Sequence, residues 1–312
     1  MDQNYDIIVL GGGIAAMTAG IYASQANLKT LILKKSICGG LVNTTYLVEN
    51  FPSQPRIAGQ ELMEKVRDQV DAMGVDIREV IEVDRLSLEG DIKTVETDEG
   101  IFTADVVILA TGRTPRPLPI NTECEQVHYC AICDGSGYKG KNFLVVGGGN
   151  SGIEESVYLL SLGVRHITVI EQMDRLFASQ QAQTNLLGHQ GQVDIFTDTR
   201  VKELEIENNK LVSVLLYNAK KDEERRLKAD GIFVYMGHDT QTALFKETIS
   251  LNKYGYIDAG DDLSTNIPGV FAAGDLVQKK YCQITTAMSD GTIAALSAAE
   301  YIRKKHRHDP AA

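Results

Sequence analysis

Twice along this chain a short apolar run meets a cluster of glycines and opens into a helical pattern, and a second apolar run follows. The first copy is a β-rich run at residues 5–10, glycines at 11–13, a helix at 14–25 opening on small residues and a strand at 28–33. The second copy is a strand at 142–146, a glycine turn at 147–152, a helix at 153–162 and a strand at 166–170. Each is a βαβ unit, in which short apolar runs bounded by glycine read as buried strands. The turn between strand and helix presents backbone amides at the positive end of the helix, where a pyrophosphate can sit. Two such units imply an α/β fold with two doubly wound nucleotide-binding-type domains.

The length of 312 residues allows two domains with full cores. Between the units, Leu62, Val66, Val70 and Met73 form a helical stripe across residues 61–73, and residues 106–110 read as a buried strand ending at Thr111-Gly112. Pro115, Pro117 and Pro119 then break regular structure, so residues 113–119 are a candidate linker. A second transition falls at 237–241, after a strand at 231–235. Residues 193–227 alternate apolar and polar positions as strands and hairpins do, with a polar turn at 220–224. Residues 270–275 look like a strand delivering Asp275 to a ligand, and a small-residue-rich helix at 284–303 closes the chain. The expected organisation is a first domain made of 1–114 and 241–312, with 115–240 inserted within it.

Cys130-Ala131-Ile132-Cys133-Asp134 lies about ten residues before the second glycine unit. A pair at this spacing can close a small disulfide ring, and a thiolate formed there can attack another disulfide. Asp134 follows directly and can carry protons for that exchange. Structural zinc would need two further ligands at short spacing, whereas Cys38, Cys124 and Cys282 are scattered singly. No metal is therefore expected. A net charge of -11 does not supply the basic surface that nucleic acid requires. The basic run 303–308 reads as a solvated helix end. No apolar run reaches the eighteen or so residues of a membrane span, and residues 1–6, which include Asp2 and Asp6, run into a strand rather than a signal peptide. The expected location is the reducing cytoplasm, where such a cysteine pair is catalytic more often than structural.

Further ordered features are Gly11-Gly12-Gly13-Ile14-Ala15-Ala16, Gly39-Gly40, Val48-Glu49-Asn50-Phe51-Pro52, Ala110-Thr111-Gly112, Gly147 to Gly152, and Ala273-Gly274-Asp275 followed by Gln283. With the cysteine motif, these resemble the low-molecular-weight thioredoxin reductase family of flavoproteins over nearly the whole chain. The resemblance implies a homodimer whose outer domain binds FAD and whose inserted domain carries the redox disulfide. It also implies a thioredoxin-like protein substrate and rotation between the domains. By the same resemblance Gly11, Gly13 and Ala16 take the FAD pyrophosphate, Asp275 binds the ribityl or phosphate region, and Gln283 contacts the flavin ring. Gly39, Gly40, Asn50, Thr111 and Gly112 complete the cofactor set. Cys133 is the flavin-side sulfur, Cys130 attacks the substrate, and Asp134 is the acid/base group.

The chain departs from this pattern after the strand that ends at Ile170. Family members that use NADPH carry His-Arg-Arg-x-x-x-Arg there, and this chain reads Glu171-Gln172-Met173-Asp174-Arg175-Leu176-Phe177. Each charged hydrogen bond is worth roughly 1.5 to 3 kcal/mol, so NADPH is not the expected donor. Ferredoxin or another non-nicotinamide donor is the first expectation. The second is NADH, held by Glu171 on a ribose hydroxyl and by the fingerprint Gly147-x-Gly149-x-x-Gly152. Three smaller departures are Lys34 where an acidic residue would hold the FAD ribose, Leu41 after Gly39-Gly40, and Cys282 before Gln283. Cys282 reads as a small buried residue, and His128 as a partly exposed loop residue. A function of another class, a redox sensor without catalysis, would need neither Asp134 nor an FAD-type turn.

Overall fold

In the computed structural model, residues 3–45, 47–122 and 124–308 are described. Met1 and Asp2, the start of the N-terminal stretch discussed above, lie outside them. The chain divides into two units: Met1–Thr114 with Thr240–Ala312, and Pro115–Asp239. The expected division was 114/115 and 240/241, and the second break falls one residue earlier.

The first unit begins with β1 (Asn4–Leu10), α1 (Ile14–Gln25), β2 (Thr30–Lys34), α2 (Gly59–Ala72), β3 (Asp76–Glu79), β4 (Val83–Ser87), β5 (Lys93–Thr97) and β6 (Gly100–Leu109). The sheet order is β3-β2-β1-β6-β5-β4. The first four strands are parallel, whereas β5 and β4 join antiparallel. Ile7, Ile8 and Val9 are all fully buried, and an apolar run without alternation is what a strand covered on both faces requires. In α2, Leu62, Met63 and Val70 are buried while Val66 and Met73 are only partly covered. The apolar face is thus turned slightly from the expected stripe and takes in Met63.

The chain crosses to the second unit at β7 (Arg113–Pro115) and continues through β8 (Val127–His128), α3 (Ala131–Asp134), β9 (Asn142–Val146), α4 (Asn150–Ser161), β10 (His166–Ile170), α5 (Gln180–Leu187) and β11 (Val193–Phe196). A meander of β12 (Thr199–Glu207), β13 (Lys210–Asn218) and β14 (Glu223–Leu227) precedes β15 (Gly231–Val234). The five-stranded sheet has the order β11-β10-β9-β15-β8 and is parallel throughout. Alternate β9 residues face opposite cores: Phe143 and Val145 pack with Ile153 and Leu159 of α4, while Leu144 and Val146 pack with Val214 and Leu216 of the meander. Helix α4 starts at Asn150, three residues before the expected position. Gly152 therefore lies inside it, and a Cβ there would fall 2.0 Å from the Gly147 carbonyl oxygen. That closeness, rather than a break in the helix, is what the glycine serves.

The chain returns through β16 (His238–Thr240), which pairs with β7, then forms β17 (Val270–Ala272) beside β6 and ends in α6 (Ile284–His308). Helices α1 and α6 approach closely because their contact is built of small residues; a Cβ on Gly291 would lie 2.2 Å from the Ala15 carbonyl oxygen. The basic end of α6 is not simply solvated, since Lys305 pairs with Asp105, a largely buried carboxylate on β6. No helix among the described residues is long and apolar enough to cross a membrane.

Candidate active site

In the first unit, the glycine turn after β1 and the Gly39-Gly40 pair form one structure. Gly11 has φ +124°, and a Cβ there would fall 2.1 Å from the Ala110 carbonyl oxygen, so only glycine lets this turn meet the end of β6. The Gly39 amide donates to the Gly12 carbonyl at 2.7 Å, and Gly13 forms a parallel bridge with Gly39. Gly13 caps the N-terminus of α1 with open space where a side chain would stand, while Ala16 is buried in the first turn of that helix. Thr111 and Gly112 follow β6 directly. Thr111 Oγ1 donates to the Gln241 carbonyl at 2.7 Å, and Gly112 has φ +70°. Together these residues lie outside the carboxyl ends of β1, β2 and β6, the place where open parallel sheets bind ligands.

Asp275 sits in a 3₁₀ turn after β17 and accepts a 2.6 Å hydrogen bond from Arg113 Nη2. Burial opposes the charge on Arg113, and Asp275 outweighs it, holding the guanidinium above its ordinary pKa. Asp275 Oδ1 and Arg113 Nε are buried with no hydrogen-bond partner among the described residues. Asn50 Nδ2 donates to Gln283 Oε1 at 3.1 Å, joining two further expected cofactor residues 233 positions apart. Cys282, expected to be buried, is only half-buried beside this group. Burial first, then Asp275, pushes its thiol pKa upward, which keeps it a weak nucleophile.

In the second unit, Cys130 and Cys133 are joined as a disulfide with their Cα atoms 5.4 Å apart. The extended Cys130 caps the single turn of α3, and its sulfur accepts from the Cys133 amide at 3.2 Å. Asp134 closes that turn, with Oδ2 lying 3.3 Å from His128 Nδ1. His128 is not the loop residue expected from sequence: it lies on β8 with a side chain only 10% exposed, and its Nε2 is 2.7 Å from the Tyr138 hydroxyl. Close by, Glu155 Oε2 on α4 and the Tyr235 hydroxyl after β15 are buried without partners among the described residues. Burial, reinforced by Glu154, pushes the Glu155 carboxyl up to about 8, and burial followed by Glu155 raises the Tyr235 phenol.

The second glycine turn is closed over by the segment that follows β10. Glu171 is buried, its Oε2 accepting from the Gly148 amide at 2.8 Å and its Oε1 from the Met173 amide at 2.9 Å. The Phe177 and Ala178 amides donate to the Gly148 carbonyl at 2.8 and 3.1 Å, and the Ser179 amide donates to Asn150 Oδ1 at 2.7 Å. Met173 and Phe177 are exposed. Among the described residues, no group of three His, Cys, Asp or Glu side chains could hold a metal ion.

Residues 5–291 match the family described as pyridine nucleotide-disulphide oxidoreductase. The chain belongs to this family. It is 40% identical to the "34.2 kDa protein in rubredoxin operon" of Clostridium pasteurianum over 97% of this chain and 99% of that protein. It is 37% identical to the thioredoxin reductase of Bacillus subtilis (strain 168), over 97% of this chain and 96% of that one. The crystal structure of Lactococcus lactis thioredoxin reductase superposes with a TM-score of 0.91 at 33% identity, covering 96% of this chain and 99% of that one.

As a thioredoxin reductase-like member of the pyridine nucleotide-disulphide oxidoreductases, the protein is a flavin-dependent disulfide oxidoreductase and binds FAD. The first unit fits that cofactor. It offers an open helix N-terminus at Gly13, and at Asp275 an enclosed carboxylate oxygen with no partner among the described residues, suited to a hydroxyl-bearing chain. Sequence reasoning missed Arg113, which it assigned to a linker, and the enclosed pair Glu155 and Tyr235. Arg113 carries no local motif, and only the pairing with Asp275, 162 positions away, marks it. The adjacent acids Glu154-Glu155 on a helix after a glycine turn were visible, but nothing in their spacing says which one faces inward.

Proposed function

We propose that the protein passes electron pairs through the Cys130–Cys133 disulfide to the disulfide of a thioredoxin-like protein, drawing on a donor other than NADPH. The disulfide itself, held in a helical turn that ends at Asp134, carries this reading. FAD, when bound, accepts electrons from the donor and supplies them in pairs to the cysteines. Gly11, Gly13, Ala16, Gly39, Gly40, Asn50, Thr111, Gly112, Asp275 and Gln283 are the residues that would hold it.

Two electrons break the Cys130–Cys133 bond, and one proton taken up leaves a thiolate and a thiol. The Cys130 thiolate attacks one sulfur of the partner disulfide, and the departing partner thiolate takes the proton of the Asp134 carboxyl group. The Asp134 carboxylate then takes the proton of the Cys133 thiol. The resulting Cys133 thiolate attacks the Cys130 sulfur, restores the internal disulfide and releases the second partner sulfur as a thiolate, which solvent protonates. Asp134 ends as it began, and the partner leaves as a dithiol.

Glu171 supports a donor other than NADPH. A buried carboxylate at the end of β10 opposes a 2′-phosphate, and Gln172, Met173 and Phe177 offer no cation in compensation. Both Glu171 oxygens already accept a backbone hydrogen bond, which also weakens the case for NADH. A relative named for a rubredoxin operon favours an iron-based one-electron carrier of the ferredoxin class. The same reading carries a homodimer in the reducing cytoplasm, supported by the family resemblance and by the reactive placement of the cysteine pair.

Anaerobic titration tests the donor: the oxidised flavin band is followed while NADPH, NADH and reduced ferredoxin are added in turn. Bleaching by ferredoxin alone is expected. Bleaching by NADH would make Glu171 a ribose ligand, and stoichiometric bleaching by micromolar NADPH would overturn the reading. Cys130→Ser should leave the flavin reducible by a chemical reductant and abolish transfer to the partner disulfide. Unaltered turnover in that variant would rule out this role for the cysteine pair.

A further inference from the structure

His128 lies on β8, two residues before the disulfide, and its imidazole is enclosed on three sides. Asp134 from α3 lies 3.3 Å from Nδ1, and the Tyr138 hydroxyl lies 2.7 Å from Nε2. The Phe233 ring from β15 packs with its centroid 5.1 Å away. Burial lowers the His128 pKa against the opposing pull of Asp134, so the ring is neutral at neutral pH and carries a single proton. Burial, with Asp134, Cys124 and Glu125 adding to it, raises the Tyr138 pKa, so the phenol keeps its proton. Once Asp134 has given up its proton, one arrangement satisfies all three groups. A carboxylate can only accept, so the imidazole proton belongs on Nδ1, facing Asp134, and Nε2 accepts from the Tyr138 hydroxyl.

We infer that His128 is a positioning residue for Asp134: the line Tyr138–His128–Asp134 aims the carboxyl group at the exchanging sulfurs. This deepens the reading of Asp134 as the acid/base group and rests on it. At 3.3 Å the contact with Nδ1 is longer than a formed hydrogen bond, and it tightens when Asp134 gives its proton to the departing thiolate. It loosens again when the carboxylate takes the proton of the Cys133 thiol. His128 itself gains and loses no proton. The enclosure of the ring serves this task, because a solvent-exposed imidazole would titrate near neutrality and swing away from the carboxylate.

The test uses the FAD-loaded protein with Cys130 and Cys133 pre-reduced, mixed with an aromatic disulfide probe and then with a thioredoxin disulfide, at pH 7. His128→Leu keeps the bulk of the side chain and removes the N–H, whereas His128→Asn keeps a donor near the Nδ1 position. His128→Leu should slow exchange about tenfold at pH 7, because the carboxyl group loses the donor that orients it. His128→Asn should recover most of the rate. On an Asp134→Asn background, His128→Leu should cost nothing further. Imidazole ¹⁵N shifts of the unmodified protein should report the neutral tautomer with its proton on Nδ1. An Nε2–H tautomer, or equal loss in His128→Leu and His128→Asn, would overturn the inference and leave His128 a packing residue. If Asp134→Asn slows exchange while His128→Leu does not, only the role of His128 falls. If Asp134→Asn exchanges as fast as the unmodified protein, the acid/base reading falls first and takes this one with it.

Discussion

Asp275 and Arg113 meet across 162 positions of sequence through one 2.6 Å hydrogen bond, and each keeps a second polar atom, Oδ1 and Nε, buried without a partner among the described residues. Enclosed polar atoms of a native protein normally find partners, so the pair is read as prepared for a ligand that brings its own hydroxyl groups. On the proposed cofactor role, Arg113 would hold the Asp275 carboxylate in place before FAD arrives.

Asp275→Ala should weaken FAD binding about tenfold to a hundredfold, the value of one or more hydrogen bonds to a charged group. It should also lower the stability of the flavin-free protein, because Arg113 loses its counter-charge. Titration of apoprotein followed by flavin fluorescence measures the first effect and thermal unfolding the second. FAD binding equal to that of the unmodified protein would remove Asp275 from the site.

Gly11 and Gly13 belong to one turn but should respond differently to alanine. At Gly11 the backbone is left-handed and a Cβ would collide with the Ala110 carbonyl oxygen, so Gly11→Ala should cost stability by several kcal/mol, on the order of other backbone clashes. At Gly13 φ is an ordinary -81° and the space is open. Gly13→Ala should therefore change the stability of the apoprotein by only about 0.5 kcal/mol while lowering flavin content, since its methyl group would stand where the pyrophosphate approaches the helix. Apoprotein melting curves set beside the flavin-to-protein absorbance ratio separate the two behaviours.

Both βαβ units were legible in the sequence because the first strand of each is a short apolar run ended by glycine, and the physics that fixes them is local. The boundaries that slipped had a tertiary cause. Helix α4 begins before Gly152 because that glycine serves the close approach to Gly147. Helix α6 outruns its expected end because Lys305 finds Asp105. The cysteine pair and Asp275 were legible as motifs, but the environment of His128 was not. Its partners Asp134 and Tyr138 lie within ten positions, yet only the packing of β8 against β15 brings the ring beneath Phe233. The role of Glu171 was half legible: the loss of arginines at positions 172, 173 and 177 was plain, whereas its two backbone hydrogen bonds depend on how the following segment folds back.

That fold-back makes a prediction for Glu171. It holds the Gly148 and Met173 amides, one with each oxygen, so it supports the glycine turn whether or not a nucleotide binds there. Glu171→Ala should leave both amides unpaired and destabilise the protein by about 2 kcal/mol or more, given about 1 to 3 kcal/mol for each buried donor left unsatisfied. Hydrogen exchange at Gly148 and Met173 should accelerate locally. Unchanged exchange at these two amides would free Glu171 for a role toward a ligand alone.

The last prediction concerns Glu155, whose carboxyl group is raised to about 8 by burial, with Glu154 adding to the effect. In the unfolded chain such a group ionises near its ordinary value of about 4.3. Below that value both states hold the proton and the site does not affect stability. Between there and about 8 the unfolded chain has released the proton while the folded one keeps it, so stability falls as pH rises and levels off once the folded carboxyl ionises too. Glutamine mimics the protonated form at every pH. Glu155→Gln should thus melt together with the unmodified protein near pH 4 to 5 and become progressively more stable toward pH 8, as the pKa separation requires. Each unit of separation is worth about 1.4 kcal/mol, so a gain of about 2 kcal/mol or more at pH 8 is expected even after the site relaxes. Melting temperatures of both proteins at pH 5, 6.5 and 8 provide the check. A constant difference across that range would show that Glu155 ionises normally, and that its enclosed oxygen is reached by water.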